Sequence, residues 1–271
     1  AKTNEMNINV GSMKNIGVEF AINAKPVVNK NFTWTIDYNI AWNKNEITKL
    51  NNSDDPNSFV SVGGISGGTN NKVQAHKVGF PAYTYYLFEQ VYDANGKPIE
   101  GEFVDQDGNG SIDDNDRVFR HQKDPKVTMS MSNTFNFKNW DFGFVLRANF
   151  GAYVYNNVLS QRTVLNRTWQ NTHLSNMVKN DVYFTGETGQ NLYLSDYYLR
   201  KGDFLRVDNI TLGYTWDNLF KEKLRLRLYG AVQNPFVITK YNGLDPEVFG
   251  GIDNDVYPRP TTYTLGLVAT F

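Results

Sequence analysis

Cysteine is absent from this chain of 271 residues. Its absence excludes a disulfide scaffold and any thiolate metal site, and leaves the redox compartment open. Also missing is a continuous apolar run of about 18 residues, the length that a membrane-crossing helix requires. The formal net charge is only -1, so nothing marks a nucleic-acid surface. His76, His121 and His173 stand apart, without metal-ligand spacing, and are read as solvated or hydrogen-bonded side chains. No secretory signal is recognisable and the first residue is Ala1 rather than Met, which suggests a mature terminus or an internal cut. A chain without a spanning helix can still cross a bilayer with strands, which need about 9 to 11 residues each and escape hydropathy plots. The mean hydropathy of -0.50 is compatible with that mode.

What the sequence does contain is period-two alternation. Phe32, Trp34, Ile36, Tyr38, Ile40 and Trp42 alternate with Thr33, Thr35, Asp37, Asn39 and Ala41. Strand side chains point to opposite faces in turn, so this segment has one apolar and one polar face. Trp140 to Phe150 repeats the pattern, with Asp141, Gly143, Arg147 and Asn149 opposing an apolar row. Weaker versions occupy Gly17 to Ala24, Val127 to Phe137, Ile210 to Trp216 and Leu224 to Val232. The last strand, Tyr263 to Phe271, runs to an aromatic terminus, as expected where a closing strand must be paired rather than frayed. The polar faces hold Thr, Ser, Asn and Gly more than Lys and Glu, which suits a crowded wet lumen.

Connection lengths give direction. Lys138-Asn139 and Asp217 to Lys221 are tight turns, whereas Asn51 to Asn70, Asp93 to Pro125, Tyr155 to Gly202 and Lys240 to Arg259 are long. Short turns on one side and long loops on the other is the pattern of an outer-membrane barrel. Counting back from a periplasmic Phe271 places the long loops outside and the tight turns inside. The count requires a weak descending strand near Asn71 to Val78, an inner turn at Gly79-Phe80-Pro81 and an ascending strand at Ala82 to Tyr92. It further places an inner turn at Pro26 to Asn31. The expected architecture is all-β: an antiparallel transmembrane β-barrel, to which residues 1–271 supply about nine C-terminal strands of a larger, plugged barrel. An odd count with Ala1 outside implies missing N-terminal strands. Phe32, Trp34, Ile36, Ile40, Phe142, Phe144 and Leu146 should then face lipid, and Thr33, Thr35, Asn39, Asp141 and Arg147 the lumen.

Asp105 to Asp116, "DQDGNGSIDDND", is the most specific local motif. It sets Asp105, Asp107 and Asn109 at positions 1, 3 and 5 of a calcium loop, Gly110 at the sharp turn, Ser111 at the backbone-carbonyl position, and Asp113 and Asp116 at positions 9 and 12. Hard cations need several oxygens converging from a tightly wound backbone, which this spacing delivers. A shorter Asp stands at the last position, where Glu would reach further. The expected role is a structural calcium that orders an outer loop, without catalysis.

The run "KVGFPAYTYYLFEQVYDANGKPIEGEFVDQDGNGSIDDNDRVF", Lys77 to Phe119, resembles the SusC/RagA-like TonB-dependent transporters, as do the hairpin Pro125 to Phe150, the aromatic C-terminus and "NVGSMKNIGVEF", Asn9 to Phe20. The similarity spans essentially the whole chain and matches the C-terminal part of that family's barrel, which closes with about 22 strands around a plug. The resemblance implies an outer-membrane importer of glycans or peptides and no enzyme activity. It also implies a SusD-like surface lipoprotein over the outer loops, TonB acting through the missing N-terminal part, and a complementary N-terminal chain carrying plug and strands.

Other signals are set aside. Gly64-Ile65-Ser66-Gly67-Gly68 matches the nucleophile-elbow pattern, but no helix start follows it. Asp245, Glu247, Asp253 and Asp255 are read as a solvated acidic loop rather than a second cation site. Asn157 to Met177 is read as holding a short amphipathic helix. Tyr83, Tyr85, Tyr86, Tyr92, Tyr193, Tyr197 and Tyr198 are assigned to interfacial girdles rather than to sugar stacking. Two rival architectures remain: a soluble secreted β-sandwich with a calcium loop that binds carbohydrate, and a small self-contained barrel, possibly an outer-membrane enzyme.

Overall fold

The computed structural model describes residues 11–50, 55, 57–68, 70–167, 169–170, 173–174, 176–219, 224–254 and 256–271. Its largest element is a wall of seven strands: β1 (Ser12–Val28), β2 (Phe32–Lys49), β3 (Val127–Phe137), β4 (Trp140–Phe150), β5 (Phe204–Asn218), β6 (Leu224–Thr239) and β7 (Thr262–Thr270). Neighbours in the chain are neighbours in the sheet, and every pair is antiparallel. Tight turns close one end. The Asn29 side chain accepts from the backbone N–H groups of Asn31 and Phe32, at 3.1 and 2.9 Å, and so folds β1 into β2. Lys138 takes the left-handed φ of 52° between β3 and β4.

Register carries the two-faced pattern across the wall. Trp34, Phe135, Phe142, Leu212, Gly230 and Leu265 are successive cross-strand partners on one face. The adjacent row, Thr35, Thr134, Gly143, Thr211, Ala231 and Thr264, lies on the other. On the apolar face, rings pack at 5.8 Å for Trp34 with Phe135 and 6.0 Å for Phe135 with Phe142. No second sheet among the described residues covers this face, and Leu265 remains 80% exposed. Asn133 is the polar exception there; the Trp34 indole donates to its oxygen at 3.0 Å. The apolar row of β2 ends at Trp42, beyond which the same face carries Lys44 and Glu46, paired at 3.0 Å. Trp140, Tyr214 and Trp216 form the aromatic band near the short-turn end, with successive ring centroids 4.8 Å apart.

Two of the nine strands expected from the sequence are not in the wall. β2 pairs directly with β3, from Phe32 opposite Phe137 to Trp42 opposite Val127. The segments near Asn71 to Val78 and Ala82 to Tyr92 instead contribute Lys72–Lys77 and Thr84–Phe88 to a separate four-stranded sheet with Phe59–Gly64 and Arg117–Gln122. Gly79-Phe80-Pro81 is accordingly no inner turn: Gly79 N donates to Ile47 O and Ile47 N to Phe80 O, both at 2.9 Å, at the long-loop end of β2. The directions of the remaining strands are unchanged, because the two displaced strands were counted as one down-and-up pair. Wall strands also run longer than the alternation suggests. β1 continues past Pro26 to Val28, and β5 begins at Phe204 rather than Ile210, because register shifts at Ala24/Val27 and Val207/Asn209 break the period.

The hydrophobic core lies outside the wall, in the assembly of long excursions at one end. It gathers Val73, Tyr85, Leu87 and Phe88 from the first excursion and Tyr155, Leu159, Phe184, Leu192 and Tyr198 from the second, with Ile252 of the third packed against it. The Tyr85 hydroxyl lies 2.7 Å from the carbonyl oxygens of both Tyr153 and Gly251, tying the three together. Each such side chain contributes about 1.5–3 kcal/mol on full burial. Tyr85, Tyr86, Tyr193 and Tyr198 are therefore core residues rather than girdle residues, since the loops that carry them pack on one another instead of lining the wall. The expected helix is confined to Asn157–Arg162, capped by the Asn156 side chain on Leu159 N at 2.8 Å.

Candidate functional site

Ion pairs on the polar face of the wall tie its strands together. Arg227 of β6 reaches across β5 to Asp141 of β4, at 2.9 and 2.5 Å, over Gly213, whose missing side chain leaves the space. Toward the long-loop end, Arg147 and Arg206 are direct cross-strand partners. Two guanidinium groups side by side repel, and three carboxylates offset them. Arg147 holds Asp208 at 2.7 Å and Glu247 at 2.6 Å, while Arg206 holds Asp245 at 2.7 Å. Arg259 adds contacts of 3.1 Å to both Asp245 and Glu247. The cluster balances three positive against three negative charges and fastens the excursion between β6 and β7 onto the inside of the wall.

Asp245 and Asp253 are thus not solvated, contrary to the sequence expectation: they are 3% and 2% exposed, Asp245 against arginines and Asp253 against the Tyr241 hydroxyl at 2.6 Å. Neighbouring carboxylate and burial both push the Tyr241 hydroxyl far above the ordinary tyrosine range, burial being the larger cause. Asp255 lies outside the described residues. Sequence reasoning missed Arg206, Arg259 and Asp208. For Arg206 and Asp208 the bulge at Asp208 is the reason, since it puts both on the polar face where strict alternation from Thr211 would place Val207; Arg259 lies in a loop, where no period applies.

The acidic loop follows the strand Pro98–Phe103 and leads into Arg117–Gln122. Gly108 and Gly110 take φ of 73° and 80°, the left-handed conformations that wind it tightly. Asp105 accepts from Gly108 N at 2.6 Å and Gly110 N at 2.8 Å. These N–H groups, Gly110's first, hold its carboxyl below the usual carboxylate range. Asp116, fully buried, accepts from Gln106 N and Asp113 N, both at 2.8 Å, and closes the loop. Asp105, Asp107 and Asp116 each bring an oxygen within 4.8 Å of the others. The side chains of Asn109 and Asp113 instead accept from the backbone N–H groups of Ser111 and Asn115, at 2.7 and 2.8 Å. The loop's exit is anchored to the aromatic core by Arg117, which lies 4.0 Å from the Tyr86 ring centroid and donates to the carbonyls of Lys72 and Tyr86 at 2.7 Å.

The remaining motifs fall in the excursions. Ser66 sits in the loop between Phe59–Gly64 and Lys72–Lys77, where the Asn157 amide donates to its oxygen at 3.2 Å, and no helix follows it. His121 stacks on Tyr153 at 3.8 Å, and His76 accepts from Tyr83 N at 3.3 Å.

Comparison with known proteins places this architecture. No family model matches the chain. It is 48% identical over 280 residues to the TonB-dependent receptor SusC of Bacteroides thetaiotaomicron, covering 98% of the chain and 27% of that protein. It is 27% identical over 300 residues to the TonB-dependent receptor P3 of Formosa agariphila, covering 97% of the chain and 29% of that protein. Among solved structures, the RagAB peptide transporter superposes with a TM-score of 0.75 at 24% identity, covering 97% of the chain and 30% of that chain. The chain therefore spans less than a third of the length of the relatives it matches. In sequence the chain matches a C-terminal portion of the TonB-dependent receptor SusC, and in fold it matches a corresponding stretch of the RagAB transporter.

Proposed function

We propose that residues 1–271 form part of the wall and outer mouth of a TonB-dependent outer-membrane importer of glycans or peptides. The observation that carries the reading is the seven-stranded wall. One of its faces is apolar and uncovered, the other polar, and the main buried cluster sits in the loop assembly at one end. A soluble sandwich would bury that apolar face under a second sheet. In a bilayer, the eleven residues from Phe32 to Trp42 match the strand length of one crossing, and the outer-membrane lipid takes the place of the second sheet. Charged Lys44 and Glu46 then stand above the hydrocarbon.

The long-loop assembly would receive a SusD-like surface lipoprotein, and TonB would act through the plug carried by a complementary N-terminal part. The chain's role is conduit and mouth, with no catalytic residue. Within the mouth, Asp105, Asp107 and Asp116, helped by Asn109, Asp113 and the Ser111 carbonyl, would hold calcium. An all-oxygen, carboxylate-rich set on a tightly wound loop suits that ion. Its effect would be to rigidify residues 105–116 over the aromatic core. Uptake assays on the full-length protein test the import reading: accumulation of labelled oligosaccharide or oligopeptide should vanish in a strain lacking TonB. Uptake that persists unchanged without TonB, or recovery of the protein without detergent, would refute it.

A further inference from the structure

The three long excursions meet around a cavity of about 320 Å³. Its lining is Gly64 and Ser66 of the glycine-rich loop, Val158, Gln161 and Arg162 of the short helix, and Asn254 from the excursion between β6 and β7. Local contacts hold these segments in place without any ligand. Asn156 caps the helix, and Ile65 N donates to Asn71 O at 3.0 Å to close the loop. Hydrogen bonds among the side chains then use up oxygens and leave protons. Ser66 Oγ accepts from the Asn157 amide at 3.2 Å and from the Gln161 amide. A hydroxyl whose lone pairs are both taken keeps one role, that of donor, and Ser66 Oγ donates to no other described residue.

Asn157 also donates to Asn254 Oδ1, which leaves the Asn254 NH2 group free. Its own Oδ1 accepts from the Ser160 hydroxyl at 2.9 Å, and this sets which way the Asn157 amide points. Arg162 is the second observation. Unlike Arg147, Arg206 and Arg227, its guanidinium faces no carboxylate among the described residues. Arginine stays charged throughout the working pH range and carries five N–H donors. The lining thus holds one positive charge, free O–H and N–H groups on three chain segments, and a single unused side-chain acceptor, Gln161 Oε1.

We infer that this cavity is a binding site for a tetrahedral oxyanion of the phosphate or sulfate type. A neutral hydroxyl-bearing group must donate as well as accept, and here its protons would meet almost no free oxygen. A planar carboxylate satisfies a guanidinium through two oxygens in one plane. Donors reaching in from three segments suit instead a group whose four oxygens point in different directions. Ser66, which no helix follows as a nucleophile would require, serves here as a donor. The cavity is roomier than a bare ion needs, so the anion enters hydrated or as an ester on a larger molecule. Once bound, it would clip the three excursions together, a role separate from import itself.

The test uses the full-length protein in detergent at low ionic strength, where charges are screened least. Titration calorimetry with sodium sulfate and sodium phosphate is set beside sodium acetate. Sulfate and phosphate should bind wild type, and acetate much more weakly. Arg162→Gln should raise the sulfate Kd roughly tenfold and Ser66→Ala roughly fivefold. Arg162→Gln keeps the test open should Ser66→Ala loosen the loop, because only the backbone oxygen of Arg162 supports another described residue, accepting from Val178 N at 3.1 Å. Glycerol 3-phosphate set against inorganic phosphate separates the sources. Tighter binding of the ester supports a group carried on a larger molecule, and tighter binding of the free ion supports a site for the ion itself. No binding of sulfate or phosphate at millimolar concentration, acetate binding as tightly as sulfate, or an Arg162→Gln affinity within twofold of wild type would overturn the site.

Discussion

Ile36 and Thr35 are adjacent on β2, yet they belong to opposite rows of the wall. If the apolar row meets lipid, a charge placed there costs about 2–4 kcal/mol near the bilayer midplane, and much less on the lumen side. Ile36→Arg should therefore reduce the yield of assembled, heat-modifiable barrel well below that of Thr35→Arg; equal yields would contradict the facing. Asp105 supplies a second test at this scale. Its folded carboxyl is held low by backbone N–H groups, so the loop order it contributes is complete above the usual carboxylate range and is lost as pH falls through the lowered value. Hydrogen-exchange protection of residues 105–116 in calcium should hold at pH 5 and fade only below about pH 4. Asp105→Ala should abolish the calcium-dependent part at every pH, and protection indifferent to calcium in wild type would remove the cation from the account.

At the scale of elements, the arginine cluster decides where the excursion between β6 and β7 sits. Arg206 and Asp245 are both almost fully buried, and removing one partner of such a pair costs up to about 3–5 kcal/mol, less here because Glu247 stays 3.0 Å from Arg206. Asp245→Ala should release the excursion, read as rapid proteolysis between Lys240 and Arg259. Arg206→Met combined with Asp245→Ala should restore much of the resistance, because no buried charge is then stranded. The same elements show what a sequence can disclose. The alternation of β2 and β4 was legible because both strands run without a bulge through the apolar band, and their shared partner β3 stays in unbroken register with each. β5 was half legible, since the bulge at Asp208 inverts its phase and hides Arg206 from any periodic reading. The side sheet misled for another reason. Lys72–Lys77 and Thr84–Phe88 have strand-forming sequences, and only long-range pairing through Ile47 determines that they leave the wall. The acidic loop was legible in its spacing, but the use of Asn109 and Asp113 as backbone caps was not, because capping and ligation draw on the same side-chain oxygens.

For the whole molecule, the wall is an open sheet. β1 and β7 each have a wall partner on one side only, and unsatisfied backbone groups in hydrocarbon cost several kcal/mol each. Residues 1–271 expressed alone should therefore aggregate or remain unfolded in detergent, while the protein isolated from membranes should contain the complementary plug-bearing chain or an uncut precursor by denaturing mass spectrometry. A stable, detergent-soluble monomer of this species alone would favour a small self-contained barrel instead. The central claim is that one face of the wall meets lipid and the other an aqueous lumen, and residues 1–271 hold no cysteine of their own to compete with a label placed on the wall. Single cysteines at positions 33 to 40 of β2, spin-labelled in the full-length protein in lipid vesicles, report contact with oxygen dissolved in the bilayer and with a water-soluble nickel chelate. The account predicts alternation with period two, oxygen contact peaking at Trp34, Ile36, Tyr38 and Ile40 and nickel contact at Thr33, Thr35, Asp37 and Asn39. Nickel contact at every position, or no alternation, would contradict it.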